Sequence, residues 1–203
     1  MLSLDNLSII QNNKQLFGNL GISILPGSII CIYGRNGVGK TSLLRAVAGI
    51  GNFNGVISYN DFDIKKVLLE YQTLVSYIGH QNALDYELSV IENLEFWAKI
   101  RNMEHAIAAS FSLFELTPYE EIKISQLSQG WARKVELTKL LLTQSIIWVL
   151  DEPFANLDQK GKDRLIEMIK VRAMNSGIII FTAQSPCIQD NIINLNLEDY
   201  LDV

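Results

Sequence analysis

The stretch that decides the fold is Gly34-Arg-Asn-Gly-Val-Gly-Lys-Thr-Ser42. It fits the phosphate-loop pattern of a glycine, four spacers, a second glycine, a lysine and a hydroxyl residue. In this pattern the backbone N–H groups surround phosphate oxygens, the lysine brings positive charge to the β- and γ-phosphates, and the hydroxyl is a ligand for Mg²⁺. A site for a nucleoside triphosphate and Mg²⁺ is therefore predicted. The residues predicted to hold the phosphates are Gly34, Arg35, Asn36, Gly37, Val38, Gly39, Lys40, Thr41 and Ser42.

The residues on either side of this loop support the same interpretation. Ser28 to Tyr33 is a short apolar run that favours a buried strand, and Ser42 to Ala48 has the pattern of a helix. A glycine-rich turn without a ligand is the alternative. The order strand, loop, helix favours the phosphate site, because that order is the structural setting of the motif.

Composition limits the classes of function. The chain has 203 residues, of which 48% are hydrophobic, enough for one domain with a buried core. A net charge of -5 argues against a nucleic-acid partner, and none is expected. The first ten residues contain Asp5 and no basic segment, so we expect no secretory signal. No apolar run approaches the ~18 residues of a membrane span, and Cys31 and Cys187 are predicted to be two buried thiols in a reducing cytosol.

The periodicity of apolar residues predicts an α/β organisation. The predicted strands are Ser3 to Ile10, Leu20 to Leu25, Ser28 to Tyr33, Gly55 to Tyr59, Ile146 to Leu150 and Ile178 to Thr182. The predicted helical stretches are Val90 to Ala109, Trp131 to Leu142 and Lys160 to Met174. A strand, a helix and a second strand in this order build a parallel sheet. We expect one domain over 1–203, with a nucleotide-binding core of about 1–83 and 143–203 and a helical subdomain of about 84–142.

A second half of the site is predicted at Asp151 and Glu152, which end an apolar strand. In phosphate-loop enzymes a strand beside the loop carries an aspartate to the Mg²⁺ shell, and a neighbouring acid polarises the attacking water. Asp151 fits the first role and Glu152 the second. The alternative is a plain turn at the strand end, since Asp-Glu-Pro is good turn chemistry.

Four further segments carry a resemblance to a family: Leu127-Ser-Gln-Gly-Trp131, Gln81, Asp151-Glu152-Pro153 and Asn156-Leu157-Asp158. Together with the phosphate loop they resemble the ATP-binding-cassette (ABC) ATPases, whose signature is Leu-Ser-Gly-Gly-Gln. The resemblance runs in order from about Leu2 to Ser185. It implies a P-loop NTPase core of ABC type, with an N-terminal antiparallel β region and an inserted helical subdomain.

The resemblance also implies roles for single residues. Gln81 is expected to reach the metal and the attacking water, and to link the core to the helical insertion. Ser128 and Gly130 are expected to touch the γ-phosphate held by a second copy of the chain, at the start of a predicted helix whose N-terminus suits an anion. Asp158 is expected among the nucleotide-binding residues. The predicted metal ligands are Thr41, Gln81 and Asp151, and the predicted catalytic residues are Glu152, Gln81 and Gln184.

Within that family, several stretches are similar to the ATPase subunit of the haem exporter of cytochrome c maturation. They are Tyr77 to Asn82, Glu92 to Phe96 and Leu150 to Asp158. This similarity implies integral membrane partners, a peripheral position on the cytoplasmic face of the inner membrane, and ATP with Mg²⁺. Three alternatives stay open: another small exporter, a soluble switch acting on DNA or ribosomes, and a degenerate regulatory module. Long coiled-coil insertions or a tandem second cassette, common in the soluble switches, are absent from this chain.

The chain departs from the family pattern at four places. Gln129 and Trp131 replace a glycine and a glutamine of the signature, and Gln184 stands where the family has a histidine that contacts the γ-phosphate. Because glutamine cannot share a proton or carry charge, slow hydrolysis with near-normal nucleotide binding is predicted. Residues 10–14 contain no aromatic ring to stack on adenine, and Phe17 is too close to the loop to take that place. Selectivity for adenine is therefore poorly supported, and GTP is to be tested beside ATP.

Arg133 and Lys134 are predicted to lie on an exposed helix face.

Overall fold

Two sheets form most of the first of two units into which the chain folds. A computed structural model describes residues 1–201. The first unit consists of Met1–Tyr77, Ser145–Glu152 and 169–201, and the second consists of Ile78–Gln144 and Pro153–Met168. The second unit thus contains the segment 84–142 that was predicted as a subdomain, and also residues 153–168.

An antiparallel sheet occupies the N-terminal part of the first unit. Its strands are β1 (Leu2–Gln11), β2 (Lys14–Ile24), β4 (Asn54–Tyr59) and β5 (Phe62–Asp63), in the order β2-β1-β4-β5. β1 and β2 form a hairpin around Asn12 and Asn13, both of which adopt the left-handed conformation that a tight turn needs. The predicted antiparallel region is confirmed, and β2 begins six residues earlier than the predicted Leu20. Its first half opens with two exposed polar residues and has no alternation of polar and buried positions, so it lacks the usual strand pattern.

A parallel sheet lies at the centre of the first unit. Its strands are β3 (Ile29–Tyr33), β6 (Val75–Ile78), β7 (Ile147–Leu150), β8 (Ile178–Thr182) and β9 (Ile192–Asn196), in the order β6-β7-β8-β3-β9. The register places Cys31 beside Phe181 on one side and Asn194 on the other. β3, β7 and β8 are almost wholly buried, as their continuous apolar sequences predict. The α/β fold class is confirmed.

Helices cover the sheet and build the second unit. In the first unit, α1 (Lys40–Val47) packs against β7 and β8, and α2 (Leu68–Thr73) precedes β6. The second unit contains α3 (Val90–Arg101), α4 (Ile107–Leu113) and α5 (Gln129–Thr138), joined by short 3₁₀ turns. α6 (Gln159–Met174) precedes β8. No helix within residues 1–201 is long and apolar enough to span a membrane.

The predicted exposure of Arg133 and Lys134 is wrong. Both lie on α5, and only 3% and 8% of their surfaces are accessible. The error has a physical reason: their partners are residues remote in sequence, so the helix pattern alone reads these charges as a solvated face.

Candidate functional site

The phosphate loop connects the end of β3 to the start of α1. Gly34, Gly37 and Gly39 adopt φ angles of 144°, 81° and 111°, a region that side chains rarely occupy. At Gly39 an added Cβ would also lie 3.1 Å from the ring of Phe17. Phe17 is fully buried behind the loop, so it cannot stack on a nucleotide base. The three glycines therefore permit the tightly turned backbone that the phosphate-loop motif requires.

Lys40, the first residue of α1, turns back over this loop. Its Nζ donates hydrogen bonds to the carbonyl oxygens of Gly34 at 2.6 Å and Arg35 at 3.2 Å, and the side chain is only 7% exposed as a residue. An ammonium this buried needs such partners. The positive charge is thereby held next to the loop, where a bound phosphate would supply its counter-charge.

Thr41 and Asp151 are joined directly. The hydroxyl of Thr41 donates to Oδ2 of Asp151 at 2.7 Å, although the two residues are 110 positions apart. Asp151 follows β7 and is 2% exposed. A hydroxyl and a carboxylate together are the hard oxygen ligands that Mg²⁺ takes from a protein, the other positions being filled by water and phosphate. Among residues 1–201 no group of three or more His, Cys, Asp or Glu side chains is placed to hold a metal ion.

The sequence did not reveal Thr182, the last residue of β8. Its hydroxyl donates to Oδ1 of Asp151 at 2.7 Å and accepts the backbone N–H of Glu152 at 2.8 Å. Both carboxylate oxygens of Asp151 are thus engaged by threonine hydroxyls. A polar residue that ends an otherwise apolar strand was the only available signal, because the register of β7 and β8 decides the contact.

Glu152 and Gln184 are both near Thr182, the first through a backbone hydrogen bond and the second by two positions in the sequence. Glu152 has a φ of 43°, an unfavourable backbone conformation for a residue with a side chain, and such strain concentrates at functional sites. Gln184 follows β8 by two residues and is exposed. Within residues 1–201 the side chain of Gln184 makes no hydrogen bond, and its contact with the γ-phosphate stays a prediction.

The C-terminal segment also contacts the phosphate loop. After β9, the 3₁₀ turn Leu197–Tyr200 is anchored by the fully buried Leu197. Oε1 of Glu198 accepts the backbone N–H of Arg35 at 2.8 Å. A cavity of about 360 Å³ lies beside the loop. Its lining residues are Lys14, Gln15, Leu16, Arg35, Asn36, Gly37, Val38 and Leu201, and none is aromatic.

In the second unit, Ser128 and Gly130 form the start of α5. The hydroxyl of Ser128 accepts the backbone N–H of Trp131 at 3.4 Å, which makes Ser128 the N-cap of the helix. An added Cβ at Gly130 would lie 2.8 Å from the carbonyl oxygen of Asn156, so the backbone there permits only glycine. The predicted helix start is confirmed, and Gln81 lies in an exposed segment elsewhere in the same unit.

Asp158 is engaged within the second unit. Its Oδ1 lies 3.0 Å from Nζ of Lys134 and accepts the backbone N–H of Gly161 at 3.0 Å. The hydrogen bond from Lys134, with that from Gly161, lowers the pKa of Asp158 below its ordinary value. Nζ of Lys134 also lies 4.2 Å from the ring centre of Trp131. Trp131, at a position where the family has glutamine, is therefore held beside the ion pair.

A family model described as "ABC transporter" matches residues 17–155. The chain is 40% identical over 186 residues to a cytochrome c biogenesis ATP-binding export protein, CcmA, of Wolbachia pipientis wMel, covering 91% of this chain and 90% of that protein. The corresponding CcmA protein of Vibrio parahaemolyticus is 34% identical over 94% of this chain and 95% of its own length.

Solved structures show the same fold. A putative ABC transporter ATP-binding protein from Pyrococcus furiosus superposes with a TM-score of 0.86 at 25% identity, covering 99% of both chains. An ATP-binding cassette in a dimeric post-hydrolysis state, bound to ADP and Pi, superposes with a TM-score of 0.81 at 18% identity, covering 96% of this chain and 94% of that one. The chain is thus an ATP-binding and ATP-hydrolysing protein that belongs to the ABC transporter family, among the relatives called cytochrome c biogenesis ATP-binding export proteins.

Proposed function

We propose that this chain is the ATPase subunit of a membrane exporter that serves cytochrome c biogenesis, with haem or the haem-handling machinery as cargo. The names of its relatives supply the process and the export role. The haem assignment rests on the similarity of residues 77–82, 92–96 and 150–158 to the haem exporter ATPases. The protein acts at the cytoplasmic face of the inner membrane as a peripheral subunit, together with integral membrane subunits.

One observation carries the nucleotide chemistry: the hydrogen bond between Thr41 and Asp151. It brings together two ligand types suited to Mg²⁺, next to a lysine already positioned for phosphate. Thr41 and Asp151 would hold the ion, which supplies neutralisation of phosphate charge when it is bound. Lys40 orients the β- and γ-phosphates, and Glu152 accepts a proton from the attacking water. Gln81 as a further ligand and Gln184 as a contact of the γ-phosphate remain predictions from the family resemblance.

A second copy of the chain completes the site in this proposal. The N-terminus of α5, capped by Ser128, offers unpaired N–H groups and a positive helix end, both favourable to the γ-phosphate of a nucleotide bound by the other copy. Two copies then enclose two ATP molecules, and hydrolysis separates them. Residues 84–142 act as the helical subdomain that passes closure on to the membrane subunits. No nucleic acid takes part.

Purification from membranes tests the exporter proposal. The chain, solubilised in mild detergent, is expected to copurify with integral membrane subunits in a defined ratio, and the complex is expected to hydrolyse ATP in a manner abolished by Lys40→Ala. Recovery of the chain without any integral membrane subunit would contradict the exporter role and leave a soluble ATPase switch. A membrane complex whose activity and composition are unrelated to cytochrome c biogenesis would identify another small exporter.

The two-copy arrangement has its own test. Glu152→Gln keeps the shape of the side chain but removes the base, so ATP is bound and not hydrolysed. Size-exclusion chromatography with ATP is expected to show a dimer that lives longer than the wild-type dimer. Equal dimer lifetimes for the two proteins, with intact ATP binding, would count against the enclosed pair. A degenerate regulatory module would instead show no turnover in either protein.

A further inference from the structure

Three charged residues with no part in the chemistry described so far are buried along one face of α5 and its C-cap. Arg133, Glu136 and Lys139 are spaced three apart and are 3%, 1% and 9% exposed. Side chains at this spacing lie close to one another on a helix. Charged groups are rarely buried to this degree unless each has a specific partner.

Their partners lie in one short stretch, residues 79–83, and all these residues belong to the second unit. Nη1 of Arg133 donates to the carbonyl oxygen of Gly79 at 2.9 Å and to Oδ1 of Asn82 at 3.2 Å. Ala83 is held at both of its backbone groups. Its N–H donates to Oε2 of Glu136 at 3.0 Å, and its carbonyl oxygen accepts from Nζ of Lys139 at 3.0 Å.

The charges also stabilise one another. Nζ of Lys139 lies 2.8 Å from Oε1 of Glu136 and 4.2 Å from the ring centre of Trp97, which screens the pair from water. Burial lowers the pKa of Lys139 and the neighbouring Glu136 opposes that shift. Three buried side chains, those of Arg133, Glu136 and Lys139, therefore form a hydrogen-bonded group that binds the segment 79–83. This group is here called the α5 clasp.

The α5 clasp forms hydrogen bonds with residues on both sides of Gln81. Gln81 itself is exposed, whereas Gly79, Asn82 and Ala83 are bonded to the buried charges beneath it. A segment with an exposed residue at its middle and anchored neighbours keeps its backbone in place while the side chain stays available. Apolar residues would pack the helix equally well, since a buried ion pair gives little net stability over a hydrophobic replacement. They would not bond these particular backbone groups.

We infer that Arg133, Glu136 and Lys139 are positioning residues for ATP hydrolysis, acting through Gln81, which they tie to the helix that Ser128 begins. The inference rests on the proposed function, in which Gln81 contacts the reacting groups. Because the clasp bonds to backbone, a displacement of α5 at its Ser128 end is passed to the Gln81 segment as a unit. Catalysis at one phosphate is thereby linked to engagement of the signature helix.

The test uses the chain in complex with its membrane subunits. The double replacement Glu136→Leu with Lys139→Met keeps volume and removes both charges of that ion pair together. Arg133 keeps its hydrogen bonds to Gly79 and Asn82. We expect ATP affinity within about twofold of the wild type, a thermal midpoint within a few degrees, and kcat about tenfold to a hundredfold lower, as for a misplaced catalytic group. Lys139→Arg, which keeps a charged donor, is expected to retain most of the activity. Lys123→Met, at an exposed lysine paired with Glu87, is the matched control.

A double-mutant cycle with Gln81→Ala separates positioning from general stability. If the clasp acts through Gln81, the double replacement lowers kcat no further once Gln81 is alanine, since coupled residues are not additive. An additive loss, or an unchanged kcat in the folded double variant, overturns the inference. Hydrogen exchange gives a readout without activity: the N–H of Ala83 is expected to be protected in the wild type and to exchange at least about tenfold faster in the double variant. Rapid hydrogen exchange of the Ala83 N–H in the wild type would also overturn the inference. Failure of the proposed function would look different, because the chain would then be recovered without any integral membrane subunit.

Discussion

The hydroxyl of Thr41 and the Oδ2 atom of Asp151 lie 2.7 Å apart, linking the phosphate loop to the end of β7. Oδ1 of the same carboxylate is bonded to Thr182 at 2.7 Å, so Asp151 cannot rotate without losing one of the two bonds. A pre-oriented carboxylate binds a metal with less loss of side-chain entropy than a free one. We therefore propose that Thr182 orients Asp151, the predicted Mg²⁺ ligand, without being a ligand itself.

Thr182→Val tests this orienting role. Valine has the shape of threonine but leaves Oδ1 of Asp151 and the N–H of Glu152 without their partner, which costs about 1–3 kcal/mol of the free energy of unfolding. Loss of a residue that orients a metal ligand costs about 10- to 100-fold in metal affinity, so ATP binding is expected to need correspondingly more Mg²⁺. Titration of Mg²⁺ at fixed ATP measures the change. Thr182→Ser, which keeps the hydroxyl, is the control, and equal Mg²⁺ dependence in all three proteins would refute the role.

Gln184→His tests the departure at the γ-phosphate. Histidine can share a proton and carry charge near neutral pH, and glutamine cannot. In the membrane complex we expect kcat to rise by about tenfold or more, with ATP affinity unchanged, since general acid-base groups contribute at least that much. Steady-state ATPase assays with a parallel binding measurement decide the matter. Turnover no faster than that of the wild type would show that Gln184 does not limit hydrolysis.

Glu198→Ala and Glu198→Gln test the C-terminal contact with the loop. Glu198 accepts the N–H of Arg35 at 2.8 Å, and its carboxylate lies 4.0 Å from the guanidinium of the same residue. Alanine removes the acceptor, and we expect ATP affinity to fall about three- to tenfold, the worth of one hydrogen bond. Glutamine keeps an acceptor oxygen and is expected to stay within about twofold, because the exposed ion pair adds little. Equilibrium binding of ATP gives both values; unchanged affinity with alanine would show that the contact does not shape the loop.

The nucleotide-binding motifs and the buried strands could be predicted from sequence because local chemistry determines them. The glycines of the phosphate loop are required by backbone angles, and β7 and β8 are continuous apolar runs whose predicted bounds differ by a residue or less. β6 and β9 escaped prediction. β6 is only four residues long, and β9 is an edge strand that mixes asparagine with half-exposed apolar residues, so neither stands out from a loop.

Contacts made across long sequence separations could not be predicted in the same way. The role of Thr182 depends on the register between two strands, and the burial of Arg133 depends on Gly79 and Asn82, more than fifty residues earlier. A helix with charges at regular spacing has the same local pattern whether those charges face water or a piece of backbone. The structure decides this through tertiary packing, which overrides the local pattern.

The thiol of Cys31 is expected not to react with thiol reagents in the folded protein, in contrast to that of Cys187. Cys31 lies in β3 and is fully buried, as predicted, whereas the predicted burial of Cys187 is wrong, because this residue is partly exposed in the loop after β8. Burial raises the pKa of Cys31 to about 11, so its reactive thiolate is scarce near neutral pH. With a thiol reagent at pH 8, we expect one fast equivalent from Cys187, and the second only after unfolding. Rapid labelling of native Cys187→Ser would contradict the expected burial.

The same thiol should make stability depend on pH in the alkaline range. Because the pKa of Cys31 is raised from 9.0 to about 11 on folding, the unfolded chain loses its proton first. The contribution is fully present below pH 9 and is lost as pH rises through about 11, since the unfolded state then binds fewer protons than the folded state. Cys31→Ala lacks this proton and otherwise has the same sequence, so the difference between the two proteins isolates the thiol. The stability advantage of the wild type over Cys31→Ala, measured by urea unfolding, is therefore expected to shrink between pH 9 and pH 11. A constant advantage would mean that the Cys31 thiol ionises equally readily in the folded and unfolded chains, and a growing one that it ionises more readily in the folded chain; either result would contradict the prediction.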